Sequence, residues 1–369
     1  MKIVYICNEI NLNSGWAVLN YYTIINASNC FSEVIVFTLS NAKNIDVLKY
    51  NNITVIPILN SMSDSFLKYP LVILDLIRIR KNVDINKIDI VHILVEPLLP
   101  LVSIFKNSQK IFGIVGTYSI ITFKHGINRF LYKKSLKNID KIVSISEYTK
   151  NNFTNIYNHN IEVIPLGVSY QKFQYNLSKI QKEKAFVFVG HIKPRKGLIY
   201  ALKAFKKITY KYSNIKFYIV GAKIEGQYAD NCMKYIESKN LLQSVILVGK
   251  VSDVELIKIY QSSICNILTS VNVGEHFEGF GLIHLEANAC GIPSIGSKNC
   301  GNESAIIHGM NGYLCNQKNV EDIATKMEFI IQDYENNDFD KWTKNCKQYA
   351  KNNDWKIYFN TLKEKVYEI

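Results

Sequence analysis

The sequence predicts an α/β protein with two doubly wound parallel-sheet domains, and three observations indicate this fold class. Short β-branched runs alternate with amphipathic stretches along the chain, which is typical of βαβ units. The alternation restarts at Ala185, after a polar, strand-poor stretch rich in lysine and glutamine. The length of 369 residues is long for one hydrophobic core and suits two domains of ordinary size.

Each β-branched run is predicted to form one strand. In the first domain the runs are Ile3–Cys7, Ser32–Thr38, Ile53–Ile58, Ile90–Val95, Lys110–Val115, Lys141–Ile145 and Ile161–Pro165. In the second domain they are Ala185–Val189, Ile215–Val220, Val245–Val248, Ile264–Leu268, Ile292–Ile295 and Gly312–Leu314. We expect a first domain over residues 1–168, a second over 169–350, and a final amphipathic helix within 351–369.

Composition and charge narrow the function classes. The eight cysteines form no C-x-x-C pair, which predicts neither a zinc site nor a disulfide framework and favours a reducing compartment. We find no signal-peptide core and no apolar stretch of membrane-spanning length, so a cytoplasmic protein is expected. The net charge of +13 favours an anionic partner, but no nucleic-acid module accompanies it, so nucleic acid is not an expected partner.

A cluster of cations lies between Lys124 and Lys150, interleaved with apolar residues. This pattern predicts a basic amphipathic helix that would place the protein peripherally on an anionic membrane, at its inner face. A solvated, lysine-rich surface explains the same pattern equally well. The sequence leaves both interpretations open.

The most informative segment runs from Glu278 to Pro293. Glu278 and Glu286 lie eight positions apart and frame a glycine-aromatic-glycine turn and a short apolar helix. The turn precedes the helix, where free amides and the positive end of the helix dipole favour a phosphate. If fully helical, the glutamates would be about 12 Å apart along the axis, too far for the carboxylate pair of a glycoside hydrolase. We expect them to hold two ends of one extended ligand.

A second phosphate-binding element is predicted after the strand that ends at Val189. The loop from Gly190 to Gly197 carries Arg195 and Lys196 and precedes an apolar helical run. A strand, a glycine loop with cations and a helix together form an anion cradle. The alternative is a solvated basic loop.

The Glu278–Pro293 segment resembles the E-x7-E signature of the retaining glycosyltransferases of family 4, also called group 1. The resemblance implies that Glu278 lies against the transferred sugar and that Glu286 accepts hydrogen bonds from the ribose hydroxyls. It implies a diphosphate contact for Lys196. His191 stands where the family usually has an arginine, and Arg195 is expected to supply that cation.

Other positions match the family with less specificity. Gly15 follows the first strand and matches the family's glycine-bearing loop near the diphosphate. Val251 follows a later strand and matches the place where a backbone group of family members contacts the nucleobase. Phe280, Gly281 and Leu282 form the turn that would contact the donor. Together with Glu286 and His191, these residues make up the predicted donor-binding set.

The acceptor side matches the family less well. Family members often have a histidine after the strand that corresponds to Lys110–Val115, and this chain has none there. Tyr118 and His125 are the nearest candidates to take over its role. The resemblance also implies that the final helix packs back on the first domain.

The resemblance implies a GT-B fold, in which two facing Rossmann-like domains enclose a cleft, with an acceptor domain first and a donor domain second. It implies a hexosyltransferase that moves a sugar from a nucleotide-diphosphate sugar, of UDP or GDP type, to a saccharide or lipid-linked acceptor. Surface polysaccharide or glycolipid synthesis is the expected setting. No cofactor and no metal are expected, since the only D-x-D motif, Asp338-Phe339-Asp340, lies in a polar region far from any strand end.

Three alternatives stay open on the sequence. A sugar-nucleotide epimerase of the same fold would need an acid/base constellation that the sequence does not display. A non-catalytic nucleotide-sugar-binding subunit of a glycosylation complex would account for the departures at His191 and near Val115. A basic peripheral membrane-binding protein, or a nucleic-acid binder, would use the positive charge alone, and salt would weaken its binding steeply.

Overall fold

The computed structural model describes residues 1–12, 14–42, 50–60, 68–125, 129–174, 180–221 and 226–369. The chain divides into two compact units. Unit 1 comprises Met1–Leu166 together with Trp355–Ile369, and unit 2 comprises Gly167–Asp354. The described part of each unit contains one parallel sheet with helices connecting its strands.

Unit 1 is built on a seven-stranded sheet within the described ranges. Its strands are β1 (Lys2–Ile6), β2 (Glu33–Leu39), β3 (Ile53–Leu59), β4 (Ile90–Ile93), β5 (Gln109–Ile114), β6 (Lys141–Ser144) and β7 (Ile161–Val163). The spatial order is β3-β2-β1-β4-β5-β6-β7, and the paired strands run parallel. The chain therefore reverses its direction of winding between β1 and β4, which makes that position the switch point of the sheet.

Helices connect these strands. They are α1 (Gly15–Ala27), α2 (Lys68–Asn82), α3 (Tyr118–Lys124), α4 (Arg129–Leu136) and α5 (Glu147–Thr154), with 3₁₀ segments at Ile85–Lys87 and Glu96–Ile104. The basic stretch from 124 to 150 is divided among α4, β6 and α5, so its amphipathic helix is only the eight residues of α4. The chain leaves that helix because the β-branched run at Lys141 enters the sheet.

Unit 2 is built on a six-stranded sheet within the described ranges. Its strands are β8 (Ala185–Val189), β9 (Lys216–Val220), β10 (Val245–Gly249), β11 (Cys265–Leu268), β12 (Ser294–Ser297) and β13 (Gly312–Cys315). The order is β10-β9-β8-β11-β12-β13, again with parallel pairs and a switch point, here between β8 and β11. Each predicted strand of both domains has a counterpart, with ends that differ by at most two residues.

The helices of unit 2 cover both faces of its sheet and are followed by the segment that returns to unit 1. They are α6 (Tyr170–Phe173), α7 (Leu198–Ile208), α8 (Gln227–Ser238), α9 (Asp253–Ser262), α10 (Leu282–Ala289), α11 (Val320–Glu335) and α12 (Phe339–Asn352), then α13 (Trp355–Leu362) and a π-helical turn at Lys363–Tyr367. Two 3₁₀ turns lie at Pro194–Lys196 and Gly301–Ser304. None of the helices in the described ranges is long and apolar enough to cross a bilayer.

The core of each unit lies between its sheet and helices. β1 illustrates the reason, because Ile3, Val4, Tyr5 and Ile6 are all fully buried. A parallel strand that is covered on both faces favours a continuous apolar run over strict alternation. In unit 1 the C-terminal segment completes this core, since the Tyr367 hydroxyl lies 2.9 Å from that of Tyr5.

Candidate functional site

The candidate site lies at the switch point of the unit 2 sheet. The loop after β8 and the loop after β11 both leave the carboxyl edge of the sheet at neighbouring strands. Doubly wound sheets bind ligands at this position because the loops on either side separate there. The first loop carries Arg195 and Lys196, and the second carries Glu278.

The structure brings these three charged side chains together. Oε2 of Glu278 lies 2.8 Å from Nη1 of Arg195 and 2.6 Å from Nζ of Lys196. The Ser270 hydroxyl donates to the same oxygen at 3.3 Å. Glu278 is only 7% exposed, whereas Arg195 and Lys196 are partly exposed. One carboxylate oxygen therefore holds two cations at the rim of the site.

This arrangement fixes the charge of Glu278. Burial alone would raise the pKa of this carboxyl, but Lys196 and then Arg195 more than offset it and hold the pKa at about 2. Neighbouring cations stabilise the charged form of an acid, and the low dielectric of a buried site strengthens the effect. Glu278 is therefore ionised at any physiological pH and is unsuited to act as a general acid.

Close backbone contact explains why the two loops meet. Gly197 has φ +68°, and a Cβ at this position would lie 1.8 Å from the backbone oxygen of Thr269. The Thr269 hydroxyl donates to the Gly197 carbonyl at 3.0 Å, and the Val271 amide donates to the Arg195 carbonyl at 2.8 Å. Only glycine allows this approach. Gly197 thus places the two cations beside Glu278.

The turn before α10 is fixed in a similar way. The Gly301 amide donates to the Glu278 carbonyl at 2.7 Å, and a Cβ on Gly301 would lie 2.0 Å from the Gly279 carbonyl oxygen. Gly281 has φ +92° and precedes the first residue of α10, Leu282, which is partly exposed. The Phe280 side chain is 3% exposed and belongs to the core, so only its backbone is available to a ligand.

The turn packs against a buried histidine, His284, which sequence reasoning missed. The side-chain nitrogen of Asn266 lies 3.3 Å from Nδ1 of His284. The side-chain nitrogen of Asn302 forms a hydrogen bond with Nε2 of the same ring. Burial lowers the pKa of His284 to about 3, so the ring is neutral. Its position inside a short apolar helix was the available signal, because a polar residue on the buried face of a helix requires partners.

Glu286 lies on the second turn of α10 and is partly exposed. Burial raises its pKa to about 7, and Lys172 opposes this rise. Lys172 is itself engaged by Asp253, with Nζ and Oδ2 2.7 Å apart. The nearby buried Tyr260 hydroxyl also lowers the pKa of Glu286 slightly. Glu286 thus faces a mixed environment in which it titrates near neutral pH.

The other predicted donor residues lie on the loops around this centre. His191 is exposed, and within the described ranges no hydrogen bond or ion pair joins it to Glu278 or its cations. Val251 is half-buried and precedes Ser252, which caps α9 in a capping box with Glu255. Gly15 is exposed at the first position of α1, in unit 1.

The predicted acceptor residues lie at opposite ends of α3. Tyr118 begins the helix and is 52% exposed, whereas His125 follows its last residue. The ring of Tyr118 meets that of Trp16, with centroids 5.2 Å apart and planes inclined at 76°. Trp16 is the second residue of α1, so the contact brings the beginnings of α1 and α3 together. Sequence reasoning missed this pair.

A second group that sequence reasoning missed lies beneath Tyr118. Glu96 is fully buried two residues after Leu94, and the Ser119 hydroxyl donates to its Oε1. The same hydroxyl accepts from the Val115 amide at 2.9 Å, while Oε2 of Glu96 has no partner in the described part of unit 1. Burial raises the pKa of Glu96 to about 7. A single acidic residue in the apolar run after β4 was its only sequence signal.

Among the described residues, no group of three or more histidine, cysteine or acidic side chains is placed to hold a metal ion. Asp338 and Asp340 flank the start of α12 in unit 2, with the buried Phe339 between them. The prediction that the protein works without a metal stays a prediction.

Two family profiles match consecutive parts of the chain. Glycosyl transferases group 1 matches residues 170–353, and Glycosyltransferase Family 4 matches residues 32–172. The first match contains the Glu278 site, and the second contains Glu96 and Tyr118. The chain belongs to the group 1 glycosyltransferases, and the family membership expected from the E-x7-E segment is confirmed.

Individual relatives agree with this assignment. An uncharacterized glycosyltransferase of Methanocaldococcus jannaschii is 28% identical over 275 residues, which are 72% of this chain and 71% of the relative. The capsular polysaccharide biosynthesis glycosyltransferase CapM of Staphylococcus aureus is 26% identical over 226 residues, 57% of each chain. Alignments with two further relatives cover 51% and 53% of their lengths.

The solved structure of Anabaena HepE, in complex with UDP and glucose, has the same fold. It superposes with a TM-score of 0.78 at 16% identity and covers 100% of both chains. The predicted fold class, GT-B with two Rossmann-like domains, is confirmed.

Proposed function

We propose that this glycosyltransferase moves a sugar, with retention of anomeric configuration, from a nucleotide-diphosphate sugar to a hydroxyl of a saccharide or lipid-linked acceptor. The observation that carries the proposal is the ionised Glu278, held by Arg195 and Lys196 at the switch point of unit 2. The UDP bound in HepE supports a UDP-type donor, and the name of CapM supports a role in surface polysaccharide or glycolipid synthesis.

In this proposal unit 2 binds the donor. The cations Arg195 and Lys196 and the first amides of α10 carry the diphosphate, because the positive end of a helix dipole and nearby cations stabilise an anion. Glu286, in its ionised form, accepts hydrogen bonds from the ribose. Glu278 lies against the sugar. His191 and Val251 belong to the proposed donor set with weaker support, since no contact of theirs in the described part of the chain points to a ligand. Gly15 lies in unit 1 and is left out of this donor set.

The proposed reaction needs no protein nucleophile. The bond between the anomeric carbon and the phosphate oxygen breaks, and the acceptor oxygen bonds to the same face of that carbon. The acceptor proton passes to the departing phosphate oxygen, so atoms and charge balance. Positive charge develops on the sugar ring during this step, and the permanent negative charge of Glu278 stabilises it.

The cations have the complementary role. Negative charge grows on the leaving diphosphate, and Lys196 and Arg195 stabilise it without a metal in the proposed mechanism. Loss of one such contact would slow transfer by about 100-fold to 1,000-fold, by analogy with an oxyanion donor. Unit 1 binds the acceptor in this proposal. The candidate residues are Tyr118 and, at the other end of α3, His125.

A thermal-shift screen tests the donor site. Purified protein is heated with UDP, GDP, ADP, CMP and their common sugars, alongside Lys196→Ala and Glu286→Ala. We expect one nucleotide series to stabilise the wild type by about 2.7 kcal/mol at 100 times the dissociation constant, and each variant to be stabilised by about half as much or less at the same concentration. Lys193→Ala, which removes an exposed cation of the same loop, is the control and should respond like the wild type.

The outcomes separate the alternatives. No stabilisation by any nucleotide at millimolar concentration would contradict the donor site. Stabilisation without turnover, even when sugar acceptors are supplied, would instead favour a non-catalytic nucleotide-sugar-binding subunit.

We also infer that unit 1 associates peripherally with an anionic membrane, at its inner face. The α2 helix exposes three apolar side chains, Ile73, Leu74 and Ile77, each 45–48% accessible, with exposed Arg80 and Lys81 at its end. Apolar side chains flanked by cations are the pattern of an interfacial helix. This combination favours a lipid surface over a purely solvated face.

The α4 helix carries a second exposed group of apolar and basic side chains. Phe130 is 71% exposed, and the Arg129 guanidinium carbon lies 5.0 Å from its ring centre. Exposed Lys133 and Lys134 follow on the next turn. Both α2 and α4 pack against the 3₁₀ segment Glu96–Ile104, so their exposed residues lie on neighbouring elements of unit 1.

Vesicle co-sedimentation tests this inference. We expect binding to vesicles of phosphatidylglycerol and phosphatidylcholine, little binding to phosphatidylcholine alone, and loss of binding in Phe130→Ser and Ile77→Ser. Tyr210→Ser is the matched control, because Tyr210 is 77% exposed in unit 2 and lies under Lys206 at 4.5 Å. Equal binding of all variants, or no binding to anionic vesicles, would contradict a membrane-binding surface.

A further inference from the structure

An exposed aromatic pair stands at the ligand-binding edge of unit 1. Trp16 follows the loop after β1, and Tyr118 follows the loop after β5, and these strands flank β4 in the sheet. Both side chains therefore lie at the carboxyl edge, close to the β1–β4 switch point. In doubly wound sheets this edge is where ligands bind.

The pair is accessible and its polar atoms are unused. Tyr118 is 52% exposed and Trp16 is partly exposed, whereas Trp342 and Trp355 are buried at 7% and 3%. Neither the indole nitrogen of Trp16 nor the hydroxyl of Tyr118 has a hydrogen-bond partner in the described part of the chain. Because Tyr118 is exposed and Trp16 is partly exposed, both polar atoms can bond to water, and the hydroxyl groups of a ligand can replace that water. A ligand that offers both an apolar face and hydroxyl groups would complete these contacts.

The support beneath the pair is rigid. The Ser119 hydroxyl joins the Val115 amide to the buried Glu96 carboxyl, and so fixes the turn that presents Tyr118. On the other side Ser14 caps α1 by accepting from the Ala17 amide at 3.4 Å. A binding surface that is held in place before the ligand arrives loses little entropy on binding.

The chemistry of the pair favours a sugar ring as its ligand and disfavours a nucleotide. A pyranose carries C–H groups on its ring faces and hydroxyls around its rim, which match the ring faces and the polar edges of the pair. A nucleotide needs cations or a glycine-rich phosphate turn, and the segment from Cys7 to Gly15 contains neither a lysine nor an arginine, and one glycine. The paired cations of the candidate donor site, Arg195 and Lys196, are in unit 2.

We propose that Trp16 and Tyr118 form the acceptor subsite of unit 1, and that the group it binds is an uncharged pyranose ring. The proposal rests on the proposed glycosyl transfer, and it adds that the acceptor is recognised through a sugar even where that sugar is attached to a lipid. Trp16 and Tyr118 act by stacking and orientation, and the reacting hydroxyl belongs to the acceptor.

Saturation-transfer NMR on the whole protein tests this directly. The probes are the methyl glycosides of glucose, galactose, mannose and N-acetylglucosamine, with uridine and adenosine as competing aromatic ligands. We expect saturation of the ring C–H protons of at least one methyl glycoside, reduced at least fivefold in Trp16→Ala and in Tyr118→Ala. Tyr118→Phe and Trp16→Phe should retain more of the signal than the alanine variants but less than the wild type, because they keep a ring and lose the polar atom. Tyr210→Ala, which removes an exposed aromatic side chain from unit 2, is the control.

The outcomes distinguish this proposal from the proposed function. Nucleotide-induced stabilisation of Trp16→Ala and Tyr118→Ala should equal that of the wild type, which also shows that the variants fold. No pyranoside signal in the wild type, or a signal that survives both alanine substitutions, would overturn the pyranose subsite and leave the donor site untouched. A signal from uridine or adenosine alone, lost in Tyr118→Ala, would assign the pair to a nucleobase and also overturn the proposal.

Discussion

Glu278 and Glu286 should respond in opposite directions when each is changed to glutamine. Both Arg195 and Lys196 are engaged by Glu278, at 2.8 and 2.6 Å. A donor diphosphate must share these cations with a carboxylate that is permanently charged. Glu278→Gln removes the competing charge and leaves both cations for the phosphate. We therefore expect the variant to bind UDP more tightly while losing transfer.

The distances give the magnitude. Two anions that share a cation at such distances lie about 5 Å apart, and at an effective dielectric constant near 20 they repel by about 3 kcal/mol. Solvent at the partly exposed cations reduces this value, so we expect an increase in UDP affinity of about tenfold. Glu286→Gln should weaken UDP binding by about tenfold, because a charged acceptor of the ribose hydroxyls is lost.

Isothermal titration calorimetry with UDP measures both effects. The Glu278→Gln protein is expected to be less stable, by less than the ~3–5 kcal/mol typical of a broken buried ion pair, because solvent compensates the partly exposed Arg195 and Lys196. Titrations are therefore made at a temperature where circular dichroism shows the variant to be folded. A folded Glu278→Gln protein that binds UDP more weakly than the wild type would refute the competition between Glu278 and the phosphate.

Three further predictions concern charge and packing. Burial raises the pKa of Glu96 to about 7, so its contribution to stability is present below about pH 4.3 and is lost as the pH rises through 7. Glu96→Gln should remove this loss, which is about 4 kcal/mol above pH 7 in urea unfolding, and an unchanged pH dependence would contradict the assignment. Gly197→Ala, whose Cβ would lie 1.8 Å from the Thr269 oxygen, should lower the melting temperature and abolish stabilisation by UDP, whereas Gly113→Ala, with its nearest contact at 3.6 Å, should preserve UDP stabilisation. Because the pKa of Glu286 is raised to about 7, UDP affinity should increase between pH 6 and 8 in the wild type more than in Glu286→Gln, and equal slopes would argue against a ribose contact through the carboxylate.

The sequence predicted the fold well because its signals are local. A short apolar run such as Ala185–Val189 favours a buried strand of a parallel sheet over a helix or a loop, and the same holds for the other strands. The glycine turn before α10 was predictable for a related reason, since Gly281 adopts a φ of +92° that other residues avoid. The cations Arg195 and Lys196 were also found from their loop.

The parts of the candidate sites that the sequence did not predict depend on contacts between segments far apart in the chain. Glu278 meets Lys196 across 82 positions, and Glu96 meets Ser119 across 23, so no spacing rule links them. The Trp16–Tyr118 pair forms only after β1 and β5 are placed in one sheet. Phe280 was assigned to the ligand from its place in the turn, and the structure buries its ring because the preceding backbone packs on the 3₁₀ turn that begins at Gly301.

Turnover of the donor is the most direct test of the central claim. The nucleotide sugar that stabilises the protein is incubated with it, and early proton NMR spectra record the released nucleotide and the anomeric configuration of the transferred or hydrolysed sugar. We predict consumption of the donor with retained configuration by the wild type, and at least 100-fold slower consumption by Lys196→Ala and Glu278→Gln. An inverted product, or turnover that both variants sustain at the wild-type rate, would contradict the account.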